Sequence, residues 1–173
     1  MKYSRVYVDS IGYALAPVVV SSEELEERLA PVYGALHLRP GQLESLTGIH
    51  ERRWWEREFA VGDGAIEAGA KALQIAGVSR DDVGVLIDAG VNREDFDPAT
   101  ACRAAAELGV RGEAGVYDIS NACLGVLNGM IDVANRIELG QLRAGLVVSC
   151  ETAREINHAL IDRTNAPPNL ETF

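Results

Sequence analysis

Cys123 lies where an extended run gives way to a helical one in YDISNACLGVLNGMIDVANRI, residues 117–137. A thiol at the start of a helix faces unpaired backbone N–H groups and the positive end of the helix dipole, and both favour the nucleophilic thiolate. Ser120 or Asn121 is placed to cap that helix, and backbone N–H groups near the cysteine can stabilise an oxyanion during acyl transfer. The same spacing also suits a cysteine that is merely a small buried hydrophobe, and both readings stay open. Asp97 precedes Pro98, which drives its backbone toward an extended conformation and favours a loop-tip carboxylate. That carboxylate can work as a general base, which needs a reach of about 3 Å. It can equally start a turn or cap the helix that follows.

Arg52, Arg53 and Arg57 in HERRWWER form the one basic cluster suited to an anion in a chain of net charge -10. That charge repels nucleic acid. The tryptophans beside them, Trp54 and Trp55, read first as packing residues. His37, His50 and His158 stand alone in sequence and are expected to be structural or solvent-facing. The three cysteines, Cys102, Cys123 and Cys150, are odd in number, far apart and without a Cys-x-x-Cys pair. This argues against a disulfide scaffold or zinc site and fits a reducing, cytoplasmic setting. No apolar run approaches the roughly 20 residues of a membrane span, and neither a signal peptide nor an anchor is expected.

The elements that must position these groups are those of one globular domain of 173 residues, 47% hydrophobic and 24% charged. A strand is expected over residues 4–15, then a helix over 21–36 opened by Ser21 with Glu24 three residues on. A loop follows around Pro40 and Gly41. A second helix, 62–76, stops at Gly77, and DVGVLIDAG reads as a buried strand. After the turn-rich VNREDFDPATA, the alanine-rich residues 98–109 favour helix with Pro98 in the first turn and Gly109 as the stop. Strands over 115–119 and 144–150 flank a helix over 123–139 closed by Gly140, and the tail 164–173 has no element to dock it. Strands alternating with helices predict a layered α/β fold. Leu124, Val126, Leu127, Met130, Ile131, Val133 and Ile137 leave the 123–139 helix little polar surface, so it is expected to be central and buried on most sides. Gly125 and Gly129 within it each cost about 1 kcal/mol relative to alanine, which suits a close approach by another backbone or a ligand.

The Asn-Ala-Cys-Leu-Gly elbow, TGIHERR (47–53), DPATA (97–101) and LVVSCETA (146–153) occur in an order that resembles the thiolase-like condensing enzymes. The nearest branches are ketoacyl-acyl-carrier-protein synthase III and the olefin-biosynthesis acyl-CoA condensing enzymes, with hydroxymethylglutaryl-CoA synthase related to them. The resemblance implies a thiolase-like half-fold, a mixed sheet layered with helices around a buried central helix. It implies that Cys123 takes an acyl group from a CoA or carrier-protein thioester, with no permanently bound cofactor. It also implies that residues 1–173 are an N-terminal half-domain. The catalytic His and Asn would then come from a C-terminal half carried by another polypeptide, with further dimerisation. Asp97 stands where the olefin-type and hydroxymethylglutaryl-type relatives place a Glu base, inserted in the olefin-type from the dimer partner. Asp is one methylene shorter. Synthase III enzymes hold the CoA adenine with a Trp and an Arg, where this chain has Gln42 and Leu46. That departure favours the olefin branch and leaves Arg52 and Arg53 as candidate contacts for the thioester donor.

The expected reaction is therefore a Claisen condensation through an acyl-Cys123 intermediate. A head-to-head joining of two acyl-CoAs to a 3-oxoacyl product is the first reading. A decarboxylative synthase III reaction and a noncatalytic assembly half are the alternatives.

Overall fold

The computed structural model describes residues 2–166. In chain order the elements are β1 (Val18–Ser21), α1 (Ser22–Arg28), α2 (Ala30–Ala35), α3 (Gln42–Thr47), β2 (Glu51–Trp54) and α4 (Val61–Ala76). They continue with β3 (Val83–Asp88), α5 (Thr100–Leu108), β4 (Gly115–Asp118), α6 (Gly125–Glu138), β5 (Ala144–Val148) and α7 (Arg154–Asn165). Two compact units result, one of residues 2–14 with 58–151 and the other of residues 15–57 with 152–166.

The larger unit is built on a parallel sheet in the order β4-β3-β5. Val85, Leu86 and Ile87 of β3 are wholly buried because side chains alternate across the sheet and both faces are covered. Leu86 faces a core formed by Ala65 of α4, Ala101, Ala104, Ala105 and Leu108 of α5, and Leu146 and Val148 of β5. Val85 and Ile87 face Val133 of α6, with Tyr117, Ile137 and Val147 around them. The result is the layered α/β arrangement that the alternation of elements predicts. Leu73 O accepts from Gly77 N at the end of α4, and Gly109 closes α5, both in the left-handed conformation glycine allows.

Among the described residues the helix expected at the centre packs one side against β3 and β5. Gly125, Gly129, Val133 and Ala134 are buried, while Leu124, Val126, Leu127, Met130 and Ile131 keep 37–54% of their surface exposed. Its apolar character thus exceeds the cover these residues supply. The two glycines do permit close approach. A Cβ at Gly125 would stand 2.5 Å from Ala89 O, and one at Gly129 would stand 2.9 Å from Val147 Cγ1.

Several expected elements are corrected. Residues 6–15 form no strand, although they carry alternating apolar side chains, because their contacts are not a ladder. Glu138 takes the Ser4 and Arg5 N–H groups, each at 3.0 Å, and Ser10 Oγ donates to Ala72 O at 2.8 Å. Among the described residues the antiparallel pairing falls between β1 and β2, and the three strands of the larger unit pair in parallel. The helix over 21–36 opens as predicted, with Ser21 Oγ accepting from Glu24 N at 3.0 Å, but breaks at Leu29 before Pro31. Thr164 and Asn165, expected in an undocked tail, end α7. The rest of that tail, residues 167–173, lies outside the described residues.

Asp118 fixes how α5 leaves the loop after β3. Its side chain, 6% exposed, accepts from Thr100 N at 3.0 Å and Ala101 N at 2.9 Å and pairs with Arg93. A carboxylate thus caps a helix whose own N-cap, Ala99, has no side-chain acceptor. Replacing Asp118 with Ala strands two helix N–H groups and an arginine. We expect a loss of roughly 2–3 kcal/mol in denaturant unfolding, and a smaller loss for Asp118→Asn, which keeps one acceptor oxygen.

Candidate active site

The carboxyl ends of the three parallel strands gather the residues that could do chemistry, as loops at that edge of a parallel sheet commonly do. β3 leads into the loop that carries Asp97, β4 leads into Cys123, and β5 leads to Cys150 and Glu151.

Cys123 stands in a single 3₁₀ turn, Ala122–Leu124, between β4 and α6. Ile119 N donates to Asp88 O at 2.8 Å, Leu124 N donates to Asn121 O at 2.9 Å, and Gly125 presses on Ala89 O. The elbow is therefore pinned to the end of β3 from both sides of the cysteine. Ala122 pays for the sharp reversal with φ +44, a left-handed conformation that a residue with a Cβ rarely holds. Cys123 is exposed. The predicted cap is corrected. Neither Ser120 nor Asn121 caps α6, which begins at Gly125, two residues beyond Cys123; the Asn121 amide donates to Asn128 Oδ1 instead. Cys102 is also exposed but lies in α5, and Cys150 is half-buried beside Gly64.

Asp97 is exposed in the loop between β3 and α5, next to a fully exposed Phe96. It does not cap α5, because Asp118 does. Arg52 and Arg53 lie on β2, in the other unit. Arg52 Nη2 donates to Ser22 Oγ at 2.9 Å, while its Nη1 is buried without a hydrogen-bond partner among the described residues. Arg53 Nη1 donates to Ala16 O at 3.3 Å. Trp54 is 4% exposed and packs with Val20 and Leu25, with His158 edge-on at 5.2 Å, so both are structural as read from sequence. His50 is exposed and bonded to Glu44, which raises its pKa. Among the described residues no group of three His, Cys, Asp or Glu side chains could hold a metal ion, and no helix is long and apolar enough to cross a membrane.

Comparison with known proteins gives this geometry its context. No family model matches the chain. An acyl-CoA:acyl-CoA alkyltransferase of Shewanella oneidensis is 55% identical over 173 residues, all of this chain and 50% of that protein. The Xanthomonas campestris protein of the same name is 34% identical, over 99% of this chain and 51% of its own length. The crystal structure of a Glu-to-Asp variant of Xanthomonas campestris OleA superposes with a TM-score of 0.90 at 34% identity, over 98% of this chain and 49% of that one. Xanthomonas oryzae 3-oxoacyl-(acyl carrier protein) synthase III, FabH, gives 0.90 at 33% identity, over 99% and 51%. The chain is thiolase-like, of the OleA and FabH kind. It spans about half the length of the curated relatives it matches, and the thiolase-like resemblance of its motifs is thereby borne out along the whole chain.

Sequence reasoning missed one group at this edge. Asp88 ends β3, is 4% exposed, and accepts from Gly90 N at 2.9 Å. Burial pushes its carboxyl up to about 6, with the charges of Asp118 and Glu151 adding to the rise and Gly90 N–H and Arg93 opposing it. The signal was available, since an acid closing an otherwise apolar strand run is unusual. A carboxyl whose pKa is higher folded than unfolded binds the proton more tightly in the native state. Its stabilising contribution is full below the unfolded value near 4 and is lost as pH rises through about 6. We expect stability from this site to fall between about pH 4 and 6 and then level off. Asp88→Asn should flatten that part of the denaturation profile and raise the melting temperature at pH 7.

Proposed function

We propose that this chain is the N-terminal, nucleophile-bearing half of an acyltransferase that joins acyl thioesters by Claisen condensation. The observation that carries the reading is the Cys123 elbow: an exposed thiol on a strained turn anchored at the end of the central strand. Support comes from the relatives named for acyl-CoA:acyl-CoA alkyl transfer, and from the structure of one, Xanthomonas campestris OleA, solved with lauric acid and lauroyl-CoA.

In the first half-reaction Cys123 Sγ attacks the thioester carbonyl of one acyl-CoA, and the CoA thiolate leaves and takes up a proton. In the second, Asp97 removes a proton from the carbon next to the carbonyl of another acyl-CoA. The carbanion attacks the acyl-Cys123 carbonyl, a carbon–carbon bond forms, and the Cys123 thiolate departs. The product is a 3-oxoacyl thioester that keeps the second CoA. Splitting the work between two steps is what a covalent nucleophile provides. A polypeptide with the second half supplies the His and Asn that polarise the carbonyls, further dimerisation falls beside residues 91–101, and Arg52 and Arg53 meet the thioester donor. The setting is the cytoplasm, and the substrates are acyl-CoA or acyl-carrier-protein thioesters.

Intact-mass measurement on the native assembly after mixing with lauroyl-CoA is the test. We expect one acyl adduct, absent from Cys123→Ala and retained by Cys102→Ala and Cys150→Ala. A free Cys123 in a complete assembly supports the noncatalytic half, and full activity in Cys123→Ala sinks the mechanism.

Asp97→Asn separates the two half-reactions. A base that serves only the second substrate is not needed for acylation, so condensation should fall by about 100-fold or more while adduct formation stays within about twofold. Condensation that persists only with a malonyl donor in this variant favours the decarboxylative reaction.

A further inference from the structure

The loop between β3 and α5 is held at both feet and free at its tip. At the first foot, the Glu151 carboxylate accepts from Val91 N at 2.6 Å and from Asn92 N at 3.2 Å. Arg93 pairs with Asp118. Glu94 reaches α4 and α5 together, since its Oε1 accepts from Gly62 N at 2.8 Å and its two oxygens take Arg103 Nη1 at 2.8 and 3.0 Å. At the second foot, Asp118 takes the N–H groups of Thr100 and Ala101. Between the feet stand Asp95, Phe96 and Asp97, all exposed, with Phe96 fully so.

Arg103 is the centre of the first foot. Besides Glu94 it pairs with Asp63 of α4 through Nη2 and with Glu107 through Nε at 2.9 Å. A planar guanidinium can serve three carboxylates at once from fixed directions, which a lysine ammonium on a flexible stem cannot. The three carboxylates raise its pKa further, so the charge is permanent. The approach is close as well, since a Cβ at Gly62 would meet Glu94 Oε1 at 2.8 Å and Arg103 Nη1 at 2.9 Å. Such a lattice is more than a loop of this length needs merely to stay folded, because its feet are already tied by Glu151 and Asp118. What it adds is a fixed direction of departure for residues 95–97.

We propose that the Glu94–Arg103–Asp63 lattice is a positioning device that aims the tip of this loop, and with it Asp97, at the second acyl thioester. The inference rests on the reading of Asp97 as the base. Arg103 and Glu94 touch no substrate in it; they act through the loop. A carboxylate that must come within about 3 Å of a proton tolerates little wander at its base, and a misplacement of about 1 Å can lower a rate by about 100-fold.

The test uses the native assembly with Arg103→Met, Arg103→Lys, Glu94→Gln and, as a control, Glu107→Gln, which removes an exposed partner without freeing the loop. Acylation of Cys123 is read by intact mass, condensation by product formation, and loop order by hydrogen exchange of the Gly62, Val91 and Asn92 amides, which the foot of the loop protects. We expect Arg103→Met to lower condensation by about 10- to 100-fold with acylation within about twofold. Exchange at Gly62, Val91 and Asn92 should speed up, Arg103→Lys should fall between, and Glu107→Gln should match the parent. Equal loss of acylation and condensation, or exchange unchanged in Arg103→Met, overturns the proposal. If Arg103→Met does not fold, Glu94→Gln decides on the same two readouts. Unaltered condensation in Asp97→Asn refutes the base and not the lattice, which then stands or falls on hydrogen exchange alone.

Discussion

The structure depends on the complete burial of β3. Three consecutive residues, Val85, Leu86 and Ile87, have no exposed surface, so the strand must be sandwiched between helices on both faces and paired on both edges. Burying three such side chains contributes roughly 5–9 kcal/mol in transfer terms, and that contribution demands that α4, α5 and α6 all sit at fixed height on the sheet. The consequence appears at the strand's carboxyl end. Ala89 N donates to Val148 O at 2.8 Å, Ile119 N donates to Asp88 O, and Ala89 O lies under Gly125. This edge of the sheet is thus an extension of the core and inherits its rigidity.

Electrostatics at that edge follow from the same constraint. A chain of net charge -10 concentrates carboxylates wherever its loops meet, and here Asp88, Glu94, Asp118 and Glu151 face two arginines, Arg93 and Arg103. All four acids accept backbone N–H groups of the loop or of a helix start, so each carboxylate organises local backbone. Asp88 is the exception in compensation, accepting one backbone N–H where the similarly buried Asp118 takes two and an arginine. It lies too deep to be fully compensated, and its carboxyl answers by holding its proton to a higher pH.

Part of each unit was legible in the sequence because its signals are local. Gly77 and Gly109 end helices where a left-handed residue is needed, Ser21 caps α1 with its own hydroxyl, and β3 announces itself by an unbroken apolar run. What it did not reveal depends on partners distant in the chain. Residues 6–15 have the alternation of a strand and no ladder to join. β2 and α3 are too short for a periodicity, and α7, polar on most of its surface, offers no stripe to read. The same division holds for the site. Cys123 stands out as a candidate by its place between a strand and a helix, whereas the cap of α5 is not legible locally because Asp118 lies eighteen residues downstream of Thr100. Asp88 needed depth, which a single sequence encodes only as an acid in apolar company.

The two groups on which the proposed chemistry turns are held in opposite ways, and the difference fits their tasks. Cys123 sits on a turn locked by backbone contacts, with Ala122 in a strained conformation that only rigid surroundings sustain. A nucleophile that takes an acyl group from one substrate and yields it to another benefits from such fixity, because the acyl group it carries must present its carbonyl to the second substrate. Asp97 sits at an exposed tip whose feet alone are fixed. A base that meets only the second substrate has to leave room for the first to be delivered and its CoA to depart. A clamped loop with a free tip meets both demands, since the feet set its direction while the tip adapts to the chain it finds. The uncovered apolar side of α6, which begins directly after the cysteine turn, adds the last element. Leu124, Val126 and Leu127 offer apolar surface beside the thiol, and on the proposed reading that surface is closed by the second half of the fold and by the acyl chains themselves.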